Sequence, residues 1–342
     1  MNSEQLESFY QSANNTAKEM GITTKEIIQQ ASAWSRLGYS SEEAATKMAK
    51  YSAMFKMISP GMNLDQATDG LVSIMKAFKI GEDNVDDVVD GIMSKVNIVG
   101  NTQAINNSDI VDFLTRSSSA MAEANNTLEE TIALGTAATE ITRDADGVGN
   151  MLKTISMRIR GYDEETETYA GDVEELSGQI ADLTKTASNP KGVSIFTDDS
   201  KTTYKSTYEI LEDISNIYDD LDDKTQAQLL ETLAGKRQGQ AVAAIISNFD
   251  AAKKSMDSMA NSAGNAEQEM SVAIDSIEYK ANKLKETGTG IAQNLLGRDD
   301  AKAFLDVITK LAEGIDFLSD KLGLFGTAGV TIGTILRSKK CR

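Results

Sequence analysis

Apolar residues recur at intervals of three and four along most of the chain, which is the period of an amphipathic helix. Ile27, Ala31 and Trp34 show this spacing, and Gly38 follows where such a helix would end. Only two prolines, Pro60 and Pro190, interrupt the sequence, so long helices can form almost everywhere. The pattern predicts a nearly all-α protein built from layered helical hairpins.

One stretch departs from this period. An acidic helix is predicted over residues 162–187, and Ser188-Asn189-Pro190 ends it. Short apolar runs then flank the turn-like residues 197–200, which predicts a small β-hairpin near residues 193–204.

Residues 107–160 repeat features of an earlier part of the chain. The helix start at Thr127 to Glu130 matches the start at Ser40 to Glu43, an offset of 87 residues (127 minus 40). The helix 151–157 matches residues 71–77 at an offset of 80 (151 minus 71). These matches predict a degenerate two-copy helical repeat. A chance likeness between amphipathic helices is the alternative.

The C-terminal third changes period. From residue 270 to 295 the apolar positions alternate steps of four and three, a 3.5-residue period typical of coiled coils. The same alternation resumes after Gly297–Asp300. A long helix with one apolar stripe needs a partner, which is either another segment of this chain or another copy; self-association is predicted. The residues predicted to mediate it are Ile274, Ile277, Leu284, Ile291, Phe304, Ile308, Leu311 and Ile315.

An uncharged, glycine-rich apolar segment covers residues 322–336 and precedes a basic end. It falls short of the roughly 20 residues that a helix needs to cross a bilayer. We interpret it as a packing helix or as a truncated membrane-prone segment.

These patterns predict five regions. They are a polar N-terminal helix (1–22), a repeated helical core (23–161), a helical region with the small hairpin (162–262), long heptad-patterned helices (263–322) and the apolar segment with its basic end (323–342).

Charge and composition exclude several classes of function. The 34 basic and 52 acidic side chains give a net charge of −18, which argues against direct nucleic-acid binding. The sequence has no histidine, which removes histidine-based catalysis and histidine metal sites. The single cysteine, Cys341, excludes an internal disulfide.

Two motifs resemble ligand sites only superficially. Asp144-x-Asp146-Gly147 is similar to the start of a calcium loop, but Ile155 stands where the loop needs a glutamate. Gly235-Lys236 lacks the earlier glycine and the following Ser or Thr of a phosphate loop. The sequence therefore predicts no cofactor, no metal and no enzymatic activity.

Residues 222–249 predict two short helices around a basic turn. Asp222 or Asp223 can cap the first helix, and Gly235 is placed to end it. Lys236 and Arg237 then sit where helix C-terminal carbonyls favour positive charge. Contact with acidic faces of neighbouring copies is the alternative role for this pair.

Two short motifs carry a resemblance to a known family. The turn Gly235, Lys236, Arg237, Gln238, Gly239 follows a leucine helix and precedes an apolar one. Earlier, Gly149, Asn150, Leu152, Lys153 and Thr154 form the pattern Gly-Asn-x-Leu-Lys-Thr. Together these motifs resemble the core of phage tail tape measure proteins of the TP901 type, over roughly residues 20–295.

The resemblance implies a structural protein of the phage tail. Such proteins lie extended inside the tail tube, set its length and help the genome pass into the host. It implies a virion protein made in the bacterial cytoplasm, with tail tube protein and tail assembly chaperones as partners. Family members are commonly much longer, so we expect a fragment or a truncated prophage copy, with membrane contact only through a longer downstream region. A non-phage helical scaffold that self-associates through its heptads is the alternative function.

Overall fold

The structure is a computed structural model that describes residues 3–39, 41–79, 85–162, 168–169 and 172–275, together with 279, 282–283 and 286–287. Nearly all regular structure in these residues is helical, which confirms the nearly all-α prediction. The helices are α1 (Ser3–Met20), α2 (Thr24–Arg36), α3 (Glu42–Met57), α4 (Leu64–Ala77), α5 (Val85–Thr102), α6 (Asn107–Glu123), α7 (Leu128–Thr142), α8 (Ala145–Arg158), α9 (Val173–Leu183), α10 (Thr207–Ser215), α11 (Asp223–Ser247), α12 (Phe249–Ala260) and α13 (Asn265–Ile274). A 3-10 turn, Tyr218–Asp220, lies between α10 and α11.

Capping boxes start four of these helices, namely α2, α4, α7 and α10. In each, the capping side chain and a Glu or Gln three residues later satisfy each other's backbone N–H groups. The start predicted at Thr127 is confirmed, because the Thr127 N–H donates to Glu130 Oε2 at 2.8 Å. At α3 the cap is Ser41, whose Oγ accepts from the Ala44 N–H at 3.1 Å. The predicted cap Ser40 lies outside the described residues.

Contacts divide the chain into two compact units, residues 1–54 with 270–342 and residues 55–269. In the first unit α1 packs against α2, and Trp34 lies in the core at 1% exposure. Its indole N–H donates to the buried Ser52 Oγ at 3.0 Å. The Tyr39 ring meets the Trp34 ring edge-on, with 5.3 Å between ring centroids. The only tryptophan therefore satisfies its polar group while filling a helical core.

Residues 279 and 286 pack against the α1–α2 hairpin within this first unit. The Tyr279 hydroxyl donates to the Glu19 carbonyl oxygen. Glu286 is 4% exposed, and its Oε2 accepts from the Thr24 N–H at 3.2 Å and the Thr24 Oγ at 3.0 Å. A carboxylate at the start of α2 is favourable because the N-terminus of a helix carries partial positive charge.

Helix α7 is the central helix of the second unit. It packs against α6, α8, α11 and α12. Every residue from Thr131 to Thr139 is buried, as expected of a helix that is covered on all sides. Gly135 permits close packing with α6, because a Cβ added there would lie 2.3 Å from the Phe113 ring. Small side chains thus let the neighbouring helices approach α7 closely.

A buried amide network joins α5, α6 and the start of α13. The Asn107 side-chain amide donates to Asn97 Oδ1 at 3.0 Å and lies 3.1 Å from the Ile58 carbonyl oxygen. The Asn97 amide in turn donates to Asn265 Oδ1 at 2.7 Å. Each amide has a partner, so these polar groups are buried without the full cost of lost solvation.

The predicted acidic helix is shorter in the structure, since α9 ends at Leu183 rather than near residue 187. Thr184 follows it, and its Oγ accepts from the Val193 N–H at 2.7 Å, which ties the helix end to the next loop. The predicted hairpin is not confirmed. A single antiparallel bridge, Phe196 to Tyr204, stands in its place, and the described residues contain no β-strand.

The loop between those bridge residues is held by a backbone hydrogen bond, from the Thr197 N–H to the Thr203 carbonyl oxygen at 2.9 Å, and by the Asp198 side chain. Asp198 Oδ1 accepts from the Ser200 Oγ at 2.7 Å and from the Thr202 N–H at 3.1 Å. These hydrogen bonds compete with extended pairing of the backbone. They lower the pKa of Asp198 to about 2, with the Ser200 hydroxyl as the largest cause.

Several predictions concern residues that the structure does not describe or features that it does not test. The apolar segment 322–336 and the second heptad run lie outside the described residues. The two-copy repeat and the five region boundaries remain predictions. No helix in the described part of the chain is both long enough and apolar enough to cross a membrane.

Candidate functional site

The first motif segment lies on α8, where that helix crosses α6. Gly149 is buried, and a Cβ added there would lie 2.8 Å from the Phe113 carbonyl oxygen and 2.9 Å from the Arg116 Cβ. Contacts this short require a residue without a side chain. Gly149 therefore lets the backbones of α6 and α8 approach each other.

The other residues of this motif divide between core and surface. Leu152 is fully buried, whereas Thr154 is half-buried. Asn150 and Lys153 are exposed, and both line a shallow surface groove between α4, α6 and α8. The motif thus combines packing residues with two polar side chains that a partner could reach.

The second motif segment lies within α11. Gly235 has φ 67° and ψ −176°, a conformation confined almost entirely to glycine, and it breaks the helix there. This confirms the break predicted at Gly235. The helical backbone restarts at once, two residues before the predicted restart at Gln238.

The remaining residues of this segment follow the break. Gln238 and Gly239 are half-buried, and a Cβ added at Gly239 would meet nothing within 4 Å. The backbone of Lys236 and Arg237 is helical, and their side chains lie outside what the structure describes. Their predicted role at the helix end therefore remains a prediction.

The two motif segments meet through Arg158, the last residue of α8. A Cβ added at Gly235 would lie 3.3 Å from Arg158 Nη1. Arg158 Nε is buried and has no hydrogen-bond partner. The break in α11 therefore makes room for a guanidinium group between the two helices.

A second groove lies beside this junction, on the exposed side of α6 and α8. We call it the α6–α8 groove and define it by Arg116, Glu123, Lys153, Arg160 and Tyr169. Its volume is about 250 Å³. Three of these five side chains are cationic, in a chain whose net charge is −18.

The cations of the groove differ in how they are compensated. Arg116 Nε donates to Asp146 Oδ1 at 2.5 Å, and this hydrogen bond lowers the pKa of Asp146. Arg160 is half-buried, and its guanidinium carbon lies 5.1 Å from the centroid of the Tyr204 ring. Burial lowers the pKa of Arg160, and its Nη2 has no hydrogen-bond partner. Lys153 forms no ion pair with any described residue.

The two rejected ligand motifs have structural roles. Asp144 caps α8, since its Oδ1 accepts from the Gly147 N–H at 2.9 Å. Gly235 forms the break in α11 described above. Among the described residues, no group of three acidic or cysteine side chains is arranged to hold a metal ion.

Of the residues predicted to mediate self-association, only Ile274 is described. It is half-buried at the end of α13. The others lie outside the described residues, namely Ile277, Leu284, Ile291, Phe304, Ile308, Leu311 and Ile315.

A protein-family model described as phage-related minor tail protein matches residues 11–235, well over half of the sequence. The chain belongs to this family. The match contains the α8 motif and ends at Gly235, the break in α11. No solved structure matches the chain significantly.

Family membership supports a structural role in the phage tail and disfavours the non-phage scaffold. For this minor tail protein, the sequence motifs located the α8 surface and the α11 break. They missed Arg116, Arg160 and Tyr169, which complete the α6–α8 groove. No sequence signal links these residues, because Arg116 lies on α6, Arg160 in the turn after α8 and Tyr169 in a bend, and only the tertiary fold brings them together.

Proposed function

We propose that this chain is part of a tail tape measure protein, which sets the length of the phage tail and assists passage of the genome into the host. The observation that carries the proposal is the joining of the two tape-measure-like motifs, Gly149–Thr154 and Gly235–Gly239, at Arg158 within one helical unit. Membership in the minor tail protein family is consistent with it.

The physical basis is the fixed rise of a helix. A chain of constant residue number that becomes extended and helical has a fixed length, at about 1.5 Å per residue. The heptad pattern from residue 270 onward supplies apolar stripes through which copies can form a rod. The proposed role is therefore mechanical, and it requires no catalytic group.

In this proposal the protein is made in the bacterial cytoplasm and becomes a virion component. Its proposed partners are further copies of itself, the tail tube protein and the tail assembly chaperones. Direct contact with nucleic acid is not part of the proposal, because the chain carries a large net negative charge.

Mass spectrometry of purified tails tests this role. We expect peptides from this chain in tails separated from heads, at a constant ratio to tail tube protein. Heads purified from the same lysate are the control and should lack these peptides. Absence from tails in particles that contain every other tail protein would contradict the proposal. Cleavage of peptidoglycan by the purified chain would contradict the purely mechanical role.

A further inference from the structure

We propose that the α6–α8 groove binds the exposed acidic loop Asp219–Asp223 of a second copy of this chain, in a head-to-tail contact. The inference rests on the charge and geometry of the second unit. It does not depend on the assignment as a tape measure protein.

The groove offers positive charge that the protein itself does not neutralise. Asp146 compensates Arg116, and Glu123 is the only carboxylate among the residues that define the groove. Lys153 and Arg160 then leave an excess of positive charge. The Nη2 atom of Arg160 is itself buried, so Arg160 adds charge to the groove rather than a donor at its surface. The exposed Lys153 is the group that a carboxylate can reach, and ammonium and carboxylate groups form short, charge-assisted hydrogen bonds.

The acidic loop offers the complementary group. Asp219, Asp220, Asp222 and Asp223 are all exposed, and they stand within five consecutive positions. Asp222 caps α11 through the Lys224 and Thr225 N–H groups. The other three carboxylates form no ion pair with described residues, which leaves them available to a partner.

Along α11, the loop of one copy is separated from the Gly235–Arg158 contact that lies beside its groove. It stands at the start of α11, twelve residues before Gly235 (235 minus 223), which lies against Arg158. That separation is about 18 Å along the helix, at about 1.5 Å per residue. Groove and loop therefore meet between copies rather than within one. Two different surfaces in contact form a heterologous interface, which generates rings or open filaments.

The Tyr169 ring gives the groove a second element of recognition. It meets the Tyr162 ring edge-on, with 5.2 Å between ring centroids, and forms one wall of the groove. An aromatic wall beside two cations suits a peptide that carries both carboxylates and an apolar side chain. Tyr218 and Leu221 stand beside the aspartates of the loop and supply such side chains.

Sedimentation velocity of the full chain over a concentration series tests the proposal. We expect self-association that weakens as salt rises from about 0.05 M to about 1 M, because salt screens exposed charges. Lys153→Glu alone and Asp219→Lys with Asp220→Lys should each weaken it roughly tenfold or more, since like charges would then face each other. Lys153, Asp219 and Asp220 are all exposed to solvent, so the variants should still fold. Circular dichroism checks that they do.

A mixture of the two variants gives the most stringent test. Neither variant should bind itself, but the unaltered loop of the groove variant can bind the unaltered groove of the loop variant, so the mixture should associate. Lys254→Glu, and Glu231→Lys with Asp257→Lys, are matched controls, because they make the same charge changes at exposed helical positions. They should leave association unchanged.

Five results would overturn the proposal. They are a monomer at all concentrations, association that does not respond to salt, equal effects of the control variants, a mixture that fails to associate, and salt-sensitive binding of duplex DNA at Lys153 in place of a second copy. Association through the C-terminal heptads is apolar, so it persists at high salt and is distinguished in the same experiment.

Discussion

Gly235 and Arg158 lie against each other, and this contact joins the two segments by which the chain resembles tape measure proteins. The glycine adopts φ 67° and ψ −176°, and a Cβ added to it would lie 3.3 Å from Arg158 Nη1. The break in α11 and the end of α8 are therefore one structural feature. It explains why a glycine stands in the middle of a helix that would otherwise be more stable with alanine.

Gly235→Ala should destabilise the second unit by about 1 to 3 kcal/mol, the usual cost of a strained backbone conformation. The added methyl group would also crowd the Arg158 guanidinium. Chemical denaturation followed by circular dichroism measures the change. Gly239→Ala is the control, because that glycine is helical and has free space around it; it should be neutral or stabilising. Equal effects of the two substitutions would contradict this role for Gly235.

Gly149→Ala should also destabilise the second unit, by about 1 to 3 kcal/mol, because overpacking at a close helix crossing forces the two backbones apart. The added methyl group would meet the Phe113 carbonyl oxygen at 2.8 Å. Thermal unfolding is a suitable measurement. Gly178→Ala in α9 is the matched control, since a Cβ there meets nothing within 4 Å. If Gly149→Ala melts at or above the wild-type temperature, the α6–α8 crossing is not as close as described.

The folded conformation of the loop around Asp198 should become less stable at low pH. The folded pKa of Asp198 is about 2, below its ordinary value of 3.8. The carboxylate therefore stabilises the folded loop above pH 3.8, and this contribution is lost as the pH falls towards 2. Carboxyl carbon shifts measured by NMR should report the low pKa. Ser200→Ala should raise it, because the Ser200 hydroxyl is the largest cause of the shift. An unchanged pKa in that variant would contradict the assignment.

Charged residues at the apolar positions of the heptad stripe should prevent its packing against a partner helix. Ile277→Asp with Leu284→Asp would place two carboxylates at positions that the pattern predicts to be buried, which is costly without a partner. We expect loss of the salt-resistant part of self-association in sedimentation experiments. The control is Lys280→Asp, which makes the same change in net charge at a sequence position between the stripe residues. Unchanged helicity, melting and assembly in the double variant would count against the stripe.

The sequence predicted local features well because their causes are local. Thr127 and Glu130 form a capping box within four residues, and Gly235 breaks its helix through its own backbone freedom. The loop near Asp198 was harder to predict, since backbone pairing stops after a single bridge and Asp198 side-chain hydrogen bonds hold the rest of the loop. The α6–α8 groove could not be predicted from the sequence, because Arg116 and Lys153 belong to different helices. Only the close crossing at Gly149 brings them together.

Tail length is the most direct test of the proposed role. Duplicating residues 270–295 in the phage adds 26 residues (295 minus 270, plus one), without touching the second unit. As a helix at about 1.5 Å per residue, the addition predicts tails longer by about 39 Å. Electron microscopy of many particles resolves the mean length, with a wild-type recombinant carried through the same procedure as control. Longer tails by this increment support the account, whereas complete tails of unchanged length would contradict it.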